Sequence, residues 1–264
     1  MKTQAIPDFK IIIPARYAST RFPGKPLVDI AGKPMLQHAW ECAKKSVANE
    51  IIIATDDERI FNVAKAFGAE VCMTNAQHAT GTDRLAEVCQ QYAWPDQTIV
   101  VNLQGDEPLT PAVLLQQVAI NLAQFTRAGM ATLSTAIHSA SDVLNPNVVK
   151  VVTDESGYAL YFSRAPIPWN RDAGNQLTDQ QVQHCQRHLG IYAYRVGFLR
   201  AFSKMQPCLL EQLEKLEQLR ALYNGVAIHV AVAQALPGPG IDTPDDLLNF
   251  MQHFARTKLS DCGN

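Results

Sequence analysis

The chain of 264 residues carries 23 lysines and arginines against 25 aspartates and glutamates, a formal net charge of −2. Its 47% hydrophobic residues exclude a globally disordered chain, and its length suits one large domain or two small ones with a substantial core. The near-neutral charge balance argues against a protein that coats duplex DNA, because such binding needs a net-basic face.

Short β-rich runs alternate with helical patterns through the first half of the chain. Strands are predicted at Phe9–Pro14, Glu50–Thr55, Glu70–Thr74 and Thr98–Leu103, and helices at Pro34–Ser46, Asp57–Phe67, Gly81–Tyr92 and Pro111–Gln124. The first strand is continuous in apolar residues, as buried parallel strands are. This β-α order predicts an α/β fold with a mostly parallel sheet and helices on both faces, whose ligand sits at the carboxyl ends of the strands.

The second half is less regular. Strands are predicted at Met130–Ile137, Val148–Thr153, Tyr158–Ser163, Leu189–Tyr194 and Ala227–Ala233, and helices at Leu209–Leu222 and Asp246–Phe254. The polar, glutamine-rich stretch Asn170–Gln186 is predicted to be a surface excursion. His184 and His188 have the spacing of a helical metal pair, but no carboxylate cluster accompanies them, so a metal site is not favoured. Since no repeat or linker divides the chain, a single domain over 1–264 is predicted.

The apolar runs and the cysteines indicate the cellular compartment of the protein. No apolar run reaches the roughly 18–20 residues that span a bilayer, and the first residues do not have the pattern of a secretion signal. The cysteines form no CxxC pair and no metal-ligand spacing, which predicts reduced, mostly buried thiols in a cytosolic protein and no structural zinc. They are Cys42, Cys72, Cys89, Cys185, Cys208 and Cys262.

The segment Ala15–Leu27 follows the first predicted strand and collects three cations. Arg16, Arg21 and Lys25 stand there with Ser19, Thr20 and Gly24. Guanidinium forks, an ammonium and loop N–H groups suit a polyphosphate, although neither a Walker A motif nor GxGxxG is present. The alternative is a solvated basic loop, and the position after a buried strand favours the phosphate site.

Carboxylates follow the fourth predicted strand and a later glycine-rich loop. Asp106 lies where an open parallel sheet presents its ligand, and Asp242 is the natural second carboxylate. Mg²⁺ takes one or two carboxylates together with phosphate oxygens, so a magnesium site is predicted. The alternative is helix capping, by Glu107 or Thr110 in the first loop and by Asp242 or Thr243 in the second.

For two further stretches the residues alone allow two roles each. The loop His78–Arg84 could read a flat base through backbone groups and Arg84, but helix capping by Thr82 or Asp83 is the favoured interpretation. Arg164, between two strand-like pieces, could bind a carboxylate or form a structural ion pair, and the residues favour neither.

Across these motifs the chain resembles the 3-deoxy-manno-octulosonate (KDO) cytidylyltransferase family, the CMP-KDO synthetases, along nearly its whole length. The motifs that carry the resemblance include IIIPARYASTRFPGKPL, GTDRLAEV, VNLQGDEP, YFSRAPIPW, RHLGIYAYR, LEKLEQLRAL and IDTPDDL. The resemblance implies a Rossmann-like nucleotidyltransferase sheet with a CTP-binding half, about 9–125, and a smaller sugar-binding and dimerisation half, about 126–264.

By motif, the resemblance implies a role for each of the following residues. The nucleotide would be held by Ala15, Arg16, Ser19, Arg21, Lys25, Thr80, Thr82 and Arg84, where the family usually has serine in place of Thr80. The sugar would be lined by Gln104, Arg164, His188, Tyr192, Glu217 and Gln218, with Arg164 facing its carboxylate. Mg²⁺ would be held by Asp106 and Asp242, and catalysis would depend on Arg16, Lys25 and Asp106.

The implied reaction transfers CMP from CTP to KDO for lipopolysaccharide biosynthesis. The sugar 2-hydroxyl attacks the α-phosphorus in line and pyrophosphate leaves. The resemblance also implies a homodimer. The charge balance, the apolar runs and the cysteines described above predict a cytoplasmic protein with no nucleic-acid or membrane partner. Two alternatives remain: a related acid sugar as substrate, such as 8-amino-KDO or sialic acid, or a non-catalytic nucleotide-sugar sensor.

Overall fold

The computed structural model describes residues 5–18, 22–78, 80–173, 177–241 and 243–251. The strands are β1 (Phe9–Ala15), β2 (Asp29–Ile30), β3 (Lys33–Pro34), β4 (Glu50–Thr55), β5 (Glu70–Met73), β6 (Ile99–Asn102), β7 (Ala128–Ala136), β8 (Lys150–Thr153), β9 (Ala159–Ser163), β10 (Gln186–Arg195) and β11 (Ala227–Val232). The α-helices are α1 (Met35–Lys44), α2 (Glu58–Ala66), α3 (Gly81–Gln91), α4 (Ala112–Gln124), α5 (Ala140–Leu144), α6 (Val196–Phe202), α7 (Leu209–Glu214) and α8 (Gln218–Tyr223), and residues 244–251 form a further helix. No helix in this part of the chain combines the length and the apolar character that a membrane crossing requires.

The chain divides into two compact units. The first unit comprises Lys10–Ala93, Asn102–Leu115 and Pro237–Asn264, and the second comprises Met1–Phe9, Trp94–Val101 and Gln116–Leu236. The halves predicted from the sequence, about 9–125 and 126–264, differ from these units because the segments 94–101 and 116–125 pack with the second unit. The C-terminal segment returns to the first unit.

Parallel strand pairs build the first unit. β1 pairs in parallel with β4, from Lys10 opposite Glu50 to Ala15 opposite Thr55, and β4 pairs in parallel with β5. The isoleucines of β1 are completely buried, as the continuous apolar run predicted. The Leu103 N–H donates to the Ile12 carbonyl at 3.1 Å, so the segment after β6 runs beside β1 and continues the same carboxyl edge.

The second unit holds the antiparallel pairs. β7 pairs in parallel with β11 but antiparallel with β10, and β10 pairs antiparallel with β8, which in turn pairs antiparallel with β9. β10 also neighbours β6, and its register shifts between Leu189 and Tyr192. The predicted α/β class with a mostly parallel, helix-flanked sheet is confirmed, and the predicted first-half elements end within two residues of the observed ones. The short helices α5 and α6 and the hairpin β2–β3 were not predicted.

The prediction of one helix over Leu209–Leu222 is wrong. Lys215 has φ 53° and ψ 45°, in the left-handed region, and separates α7 from α8. The Glu214 side chain accepts hydrogen bonds from the Ser163 hydroxyl at 2.6 Å and the Arg164 N–H at 2.9 Å. These contacts bind the end of α7 to the end of β9, and tertiary contacts of this kind override helical periodicity.

The stretch Asn170–Gln186 is attached to the core of the second unit. Within its described part, Val182 and Cys185 are buried against Ile137 and Val143. The last residue of the stretch already belongs to β10, which also places His188 in a strand. The described part of the predicted excursion is therefore surface chain with an apolar anchor, and His184 and His188 do not share a helical turn.

Four of the five described cysteines are buried and none of the five is in a disulfide, while Cys262 lies outside the described residues. The buried thiols agree with the predicted packing role.

A buried histidine lies among aromatic rings in the second unit. The His229 ring stacks on Phe125 with centroids 3.5 Å apart, and Tyr158 meets its edge at 5.6 Å. On its other side a Cβ on Gly157 would lie 2.9 Å from His229 Nε2, so only glycine leaves room for the ring. Burial lowers the pKa of His229 to about 4, against the opposing effect of Asp154.

The lowered pKa of His229 predicts that the folded state loses stability in acid. A histidine whose folded pKa lies below its unfolded value of about 6.5 favours the unfolded state when it takes up a proton. His229 therefore destabilises the fold as the pH falls from about 6.5 to about 4. We expect His229→Gln to show a smaller fall in melting temperature between pH 7 and pH 5 than the parent chain, measured by circular dichroism. Parallel melting curves for the two proteins would contradict this assignment.

Candidate active site

A cavity of about 380 Å³ opens at the carboxyl edge of the strands in the first unit. Its size lies in the range of small-molecule sites, roughly 300–1,000 Å³. The residues that line it are Pro14, Ala15, Arg16, Ala18, Lys25, Pro26, Gly81, Gln104, Gly105 and Asp106. It therefore brings together the ends of the two loops that the sequence predicted to bind phosphate and metal.

Lys25 and Asp106 face each other in this cavity. Lys25 Nζ donates to Asp106 Oδ2 at 2.6 Å, and the side chains are 12% and 30% exposed. Lys25 is fixed by a short 3₁₀ turn, Lys25–Leu27, which follows Gly24 at φ 72°. An ion pair that retains access to solvent can exchange its partners, so both charges are available to a ligand that enters.

Arg16 lies between β1 and the loop before α3. Its guanidinium donates to the carbonyls of His78 and Thr80. Burial and the neighbouring Arg84 lower its pKa. The His78 ring is in turn hydrogen-bonded to Glu87, which also accepts from the Asn75 N–H at 2.8 Å. The arrangement keeps a partly buried cation at the edge of the cavity.

Two glycines that line this site were not among the predicted site residues. A Cβ on Gly105 would lie 3.3 Å from the Pro14 carbonyl and 3.4 Å from Leu36 Cδ1, so this loop passes β1 closely because it has no side chain there. Gly81 is the first residue of α3 and lines the cavity. The available signal was a glycine shortly after a predicted strand, for Gly105, and a glycine at the start of a predicted helix, for Gly81.

The residues predicted to surround the base have structural partners. Thr80 is the N-cap of α3 and forms a capping box with Asp83, while Thr82 is buried. Arg84 is completely buried, and its guanidinium donates to Asp56 Oδ2 at 2.8 Å and to the Thr74 hydroxyl. Capping by Asp83 agrees with the sequence, but the capping threonine is Thr80 and not Thr82.

The C-terminal loop returns to the same edge of the first unit. The Ile241 N–H donates to the Asp106 carbonyl at 3.1 Å, and Ile241 packs with Ile30, Met35 and Phe250. Thr243 and Asp246 cap the helix over 244–251 reciprocally, at 2.9 and 3.1 Å. The predicted site residues Ser19, Arg21 and Asp242 lie outside the described residues.

Most of the predicted sugar-binding residues lie in the second unit, while Gln104 lines the cavity of the first. The His188 ring meets Tyr192 at a centroid distance of 5.3 Å and Phe162 at 5.1 Å. Glu217 is close enough to Tyr192 to act on its charge, and Gln218 follows Glu217 at the start of α8. The structure thus clusters the β10 residues with the start of α8.

Two side chains of this cluster, His188 and Tyr192, have shifted pKa values, and some of its polar atoms lack hydrogen-bond partners. Burial, followed by Arg187, lowers the pKa of His188 to about 3, and burial raises that of Tyr192 well above its usual range. Gln218 Nε2 is buried without a hydrogen-bond partner in the described part of the chain, as is Tyr192 Oη, although Thr132 lies near that hydroxyl. Buried donors without partners are costly, and a polyhydroxylated ligand would satisfy them.

Arg164 stands at the end of β9 and donates to carbonyl groups. Its Nε contacts the Glu214 carbonyl at 2.6 Å and its Nη1 contacts the Pro146 carbonyl at 2.9 Å. The guanidinium is fixed in position by these two contacts. The sequence left open whether Arg164 binds a carboxylate or forms an ion pair. These two bonds are neither, since both acceptors are backbone carbonyls.

The described residues contain no group of three or more His, Cys, Asp or Glu side chains that could hold a metal ion by themselves. Mg²⁺ needs fewer protein ligands, since phosphate oxygens and water complete its shell. Asp106 fits such a site, because its carboxylate lines a cavity that also holds two cations.

The chain matches a family model described as Cytidylyltransferase over residues 10–228. It is 57% identical over 240 residues to a 3-deoxy-manno-octulosonate cytidylyltransferase from Thioalkalivibrio sulfidiphilus, which covers 91% of this chain and 96% of that relative.

Solved structures are also similar to the chain. A CMP:2-keto-3-deoxy-manno-octonic acid synthetase complexed with CTP superposes with a TM-score of 0.86 at 40% identity and covers 95% of this chain and 100% of its own. A cytidylyltransferase from Leptospira borgpetersenii, with a TM-score of 0.59 at 17% identity over 92% and 85% of the two chains, shares the fold.

Proposed function

The chain belongs to the cytidylyltransferase family, and on that premise we propose that it transfers CMP from CTP to 3-deoxy-D-manno-octulosonate. The observation that carries the proposal is the 57% identity to a KDO cytidylyltransferase over nearly the full length of both chains. The cavity with Arg16, Lys25 and Asp106 supports it, because a triphosphate needs cations and a metal-binding carboxylate.

In the proposed reaction the 2-hydroxyl oxygen of the sugar acid forms a bond to the α-phosphorus of CTP. The bond between that phosphorus and the oxygen that bridges to the β-phosphorus breaks, pyrophosphate leaves with that oxygen, and the hydroxyl proton passes to solvent. Arg16 and Lys25 bind the phosphates and compensate the charge that develops on them. No covalent enzyme intermediate is required, so catalysis consists mainly of positioning and charge neutralisation.

Mg²⁺ is proposed as the cofactor, held by Asp106 and, from the resemblance, by Asp242. When bound, the ion would supply charge neutralisation at the phosphates. In the structure Lys25 Nζ contacts Asp106 Oδ2 at 2.6 Å, so the carboxylate already has a cation beside it.

The cluster of His188, Tyr192, Glu217 and Gln218 is proposed to bind the sugar, together with Arg164 of the same unit. The buried polar atoms of Gln218 and Tyr192 support this assignment, because hydroxyl groups of the sugar can pair with them. A neutral His188 can both donate and accept a hydrogen bond, as sugar recognition requires.

For Arg164→Ala we expect the KM for the octulosonate to rise about tenfold or more, and more than the KM for CTP. The guanidinium is the cation assigned to the sugar carboxylate, and it is held in place by two carbonyls. Steady-state kinetics with each substrate varied in turn checks the ranking. A larger rise in the KM for CTP would refute the assignment.

A homodimer in the cytoplasm is proposed for the protein. The exposed apolar side chains of α7, Leu209, Leu210 and Leu213, support a subunit contact, since such patches on a monomer are rare. None of the described cysteines is in a disulfide, which supports a reducing compartment. The activated sugar is proposed to serve lipopolysaccharide biosynthesis.

The direct test is pyrophosphate release from CTP and Mg²⁺, with and without the octulosonate, with sialic acid, 8-amino-KDO and UTP as parallel substrates. Release that requires both CTP and the octulosonate is the expected result. Release with only another acid sugar would change the substrate and keep the reaction. Binding of CTP without release in any combination would point to a nucleotide-sugar sensor instead.

A further inference from the structure

A tyrosine next to the proposed nucleotide cavity contacts both a glycine and an arginine. A Cβ on Gly24 would lie 3.2 Å from three atoms at the hydroxyl end of the Tyr17 ring, so the ring packs directly on the glycine backbone. The guanidinium carbon of Arg59 lies 3.3 Å from the centroid of the same ring. This contact is a close cation–π stack.

Tyr17 and Gly24 are the chain neighbours of the two cations of the cavity, Arg16 and Lys25. Arg16 directly precedes Tyr17, and Lys25 directly follows Gly24. The Gly24 N–H donates to the Tyr17 carbonyl at 2.9 Å, which closes the chain on itself at this point. The contact between Tyr17 and Gly24 therefore sets where the backbones of Arg16 and Lys25 lie relative to each other.

Arg59 is in turn fixed by the end of a strand. Asp57, two residues beyond β4, accepts from Arg59 Nε at 2.9 Å and from its Nη2 at 2.6 Å, a two-point contact that fixes the plane of the guanidinium. The same carboxylate caps α2 through the Arg59 N–H. Since β4 pairs directly with β1, the stack connects the ends of two neighbouring strands.

We propose that Arg59 is a positioning residue for nucleotide binding. Held by Asp57, it stacks on Tyr17 and keeps the Tyr17–Gly24 junction in the geometry that directs Arg16 and Lys25 into one cavity. The inference rests on the proposed function, because it takes CTP as the ligand of that cavity. It concerns residues to which the motifs of the family assign no role in this chain.

The test is calorimetric titration of the full chain with CTP and Mg²⁺, without the sugar. For Arg59→Ala we expect the Kd for CTP to rise roughly threefold to tenfold. Arg59→Lys should weaken binding nearly as much, because an ammonium keeps the charge but neither stacks flat nor pairs at two points. The KM for the octulosonate should stay unchanged in both variants.

Arg127→Ala is the matched control. Its guanidinium carbon lies 3.8 Å from the Tyr158 ring in the second unit, and the Arg127 side chain is 66% exposed against 59% for Arg59. It should leave the Kd for CTP unchanged, and because both arginines are exposed, all variants should fold. The inference would be overturned if Arg59→Ala bound CTP like the parent chain. It would also be overturned if Arg59→Lys bound like the parent while Arg59→Ala did not, because the charge of the side chain would then account for the effect. Failure of the parent chain to bind CTP would overturn the proposed function and this inference with it.

Discussion

Replacing Asp106 by asparagine is expected to lower kcat by about 100-fold or more while raising the Kd for CTP by less than about tenfold. The amide keeps the shape of the side chain but cannot supply the negative charge that a Mg²⁺ ligand needs. It also leaves Lys25 without its carboxylate partner at 2.6 Å, which favours phosphate binding by that lysine. The loss in kcat should therefore be much larger than the loss in affinity for CTP.

Single-turnover kinetics and CTP titration on the same preparation measure the two effects. Glu107→Gln is the matched control, because Glu107 is the next residue, does not line the cavity, and accepts a hydrogen bond from the Thr110 hydroxyl at 3.1 Å. Its turnover should stay close to that of the parent chain. Near-normal turnover of Asp106→Asn at saturating Mg²⁺ would remove Asp106 from the mechanism.

The parts of the fold and site that depend on local signals could be predicted from the sequence. Strands β1 and β4 were found because their apolar runs are continuous. Arg16, Lys25 and Asp106 were found because each follows a predicted strand, and parallel strands present their carboxyl ends at one edge. Position along the chain was sufficient for these residues.

Features that depend on contacts distant in sequence could not be predicted. Lys215 interrupts a helical pattern because Glu214 is bound by residues about fifty positions earlier in the chain, at the end of β9. The stack of Tyr17 and Arg59 requires that β1 and β4 be neighbours, which no local pattern states. The burial of Arg84 could not be predicted either, because arginine side chains are mostly exposed.

That buried arginine gives the second large effect. We expect Arg84→Met to lower the free energy of unfolding by about 3 kcal/mol, as removal of one partner from a buried ion pair does. Arg84 is completely buried and pairs with Asp56, which is 16% exposed, so the substitution leaves a carboxylate without its cation and with little water. Urea unfolding followed by fluorescence measures the change.

Asp56→Asn separates a structural role of Arg84 from a role in nucleotide binding. It breaks the same pair at 2.8 Å from the other side and leaves the guanidinium in place. If the pair is structural, both variants lose stability, and their Kd values for CTP rise by similar factors of less than about ten, because the loop before α3 is loosened in both cases. A loss of CTP binding confined to Arg84→Met, at equal stability, would instead assign Arg84 to the nucleotide, as the resemblance implies. Because the guanidinium contacts Thr74 and Asp56 in the interior of the first unit, we expect the two variants to behave alike.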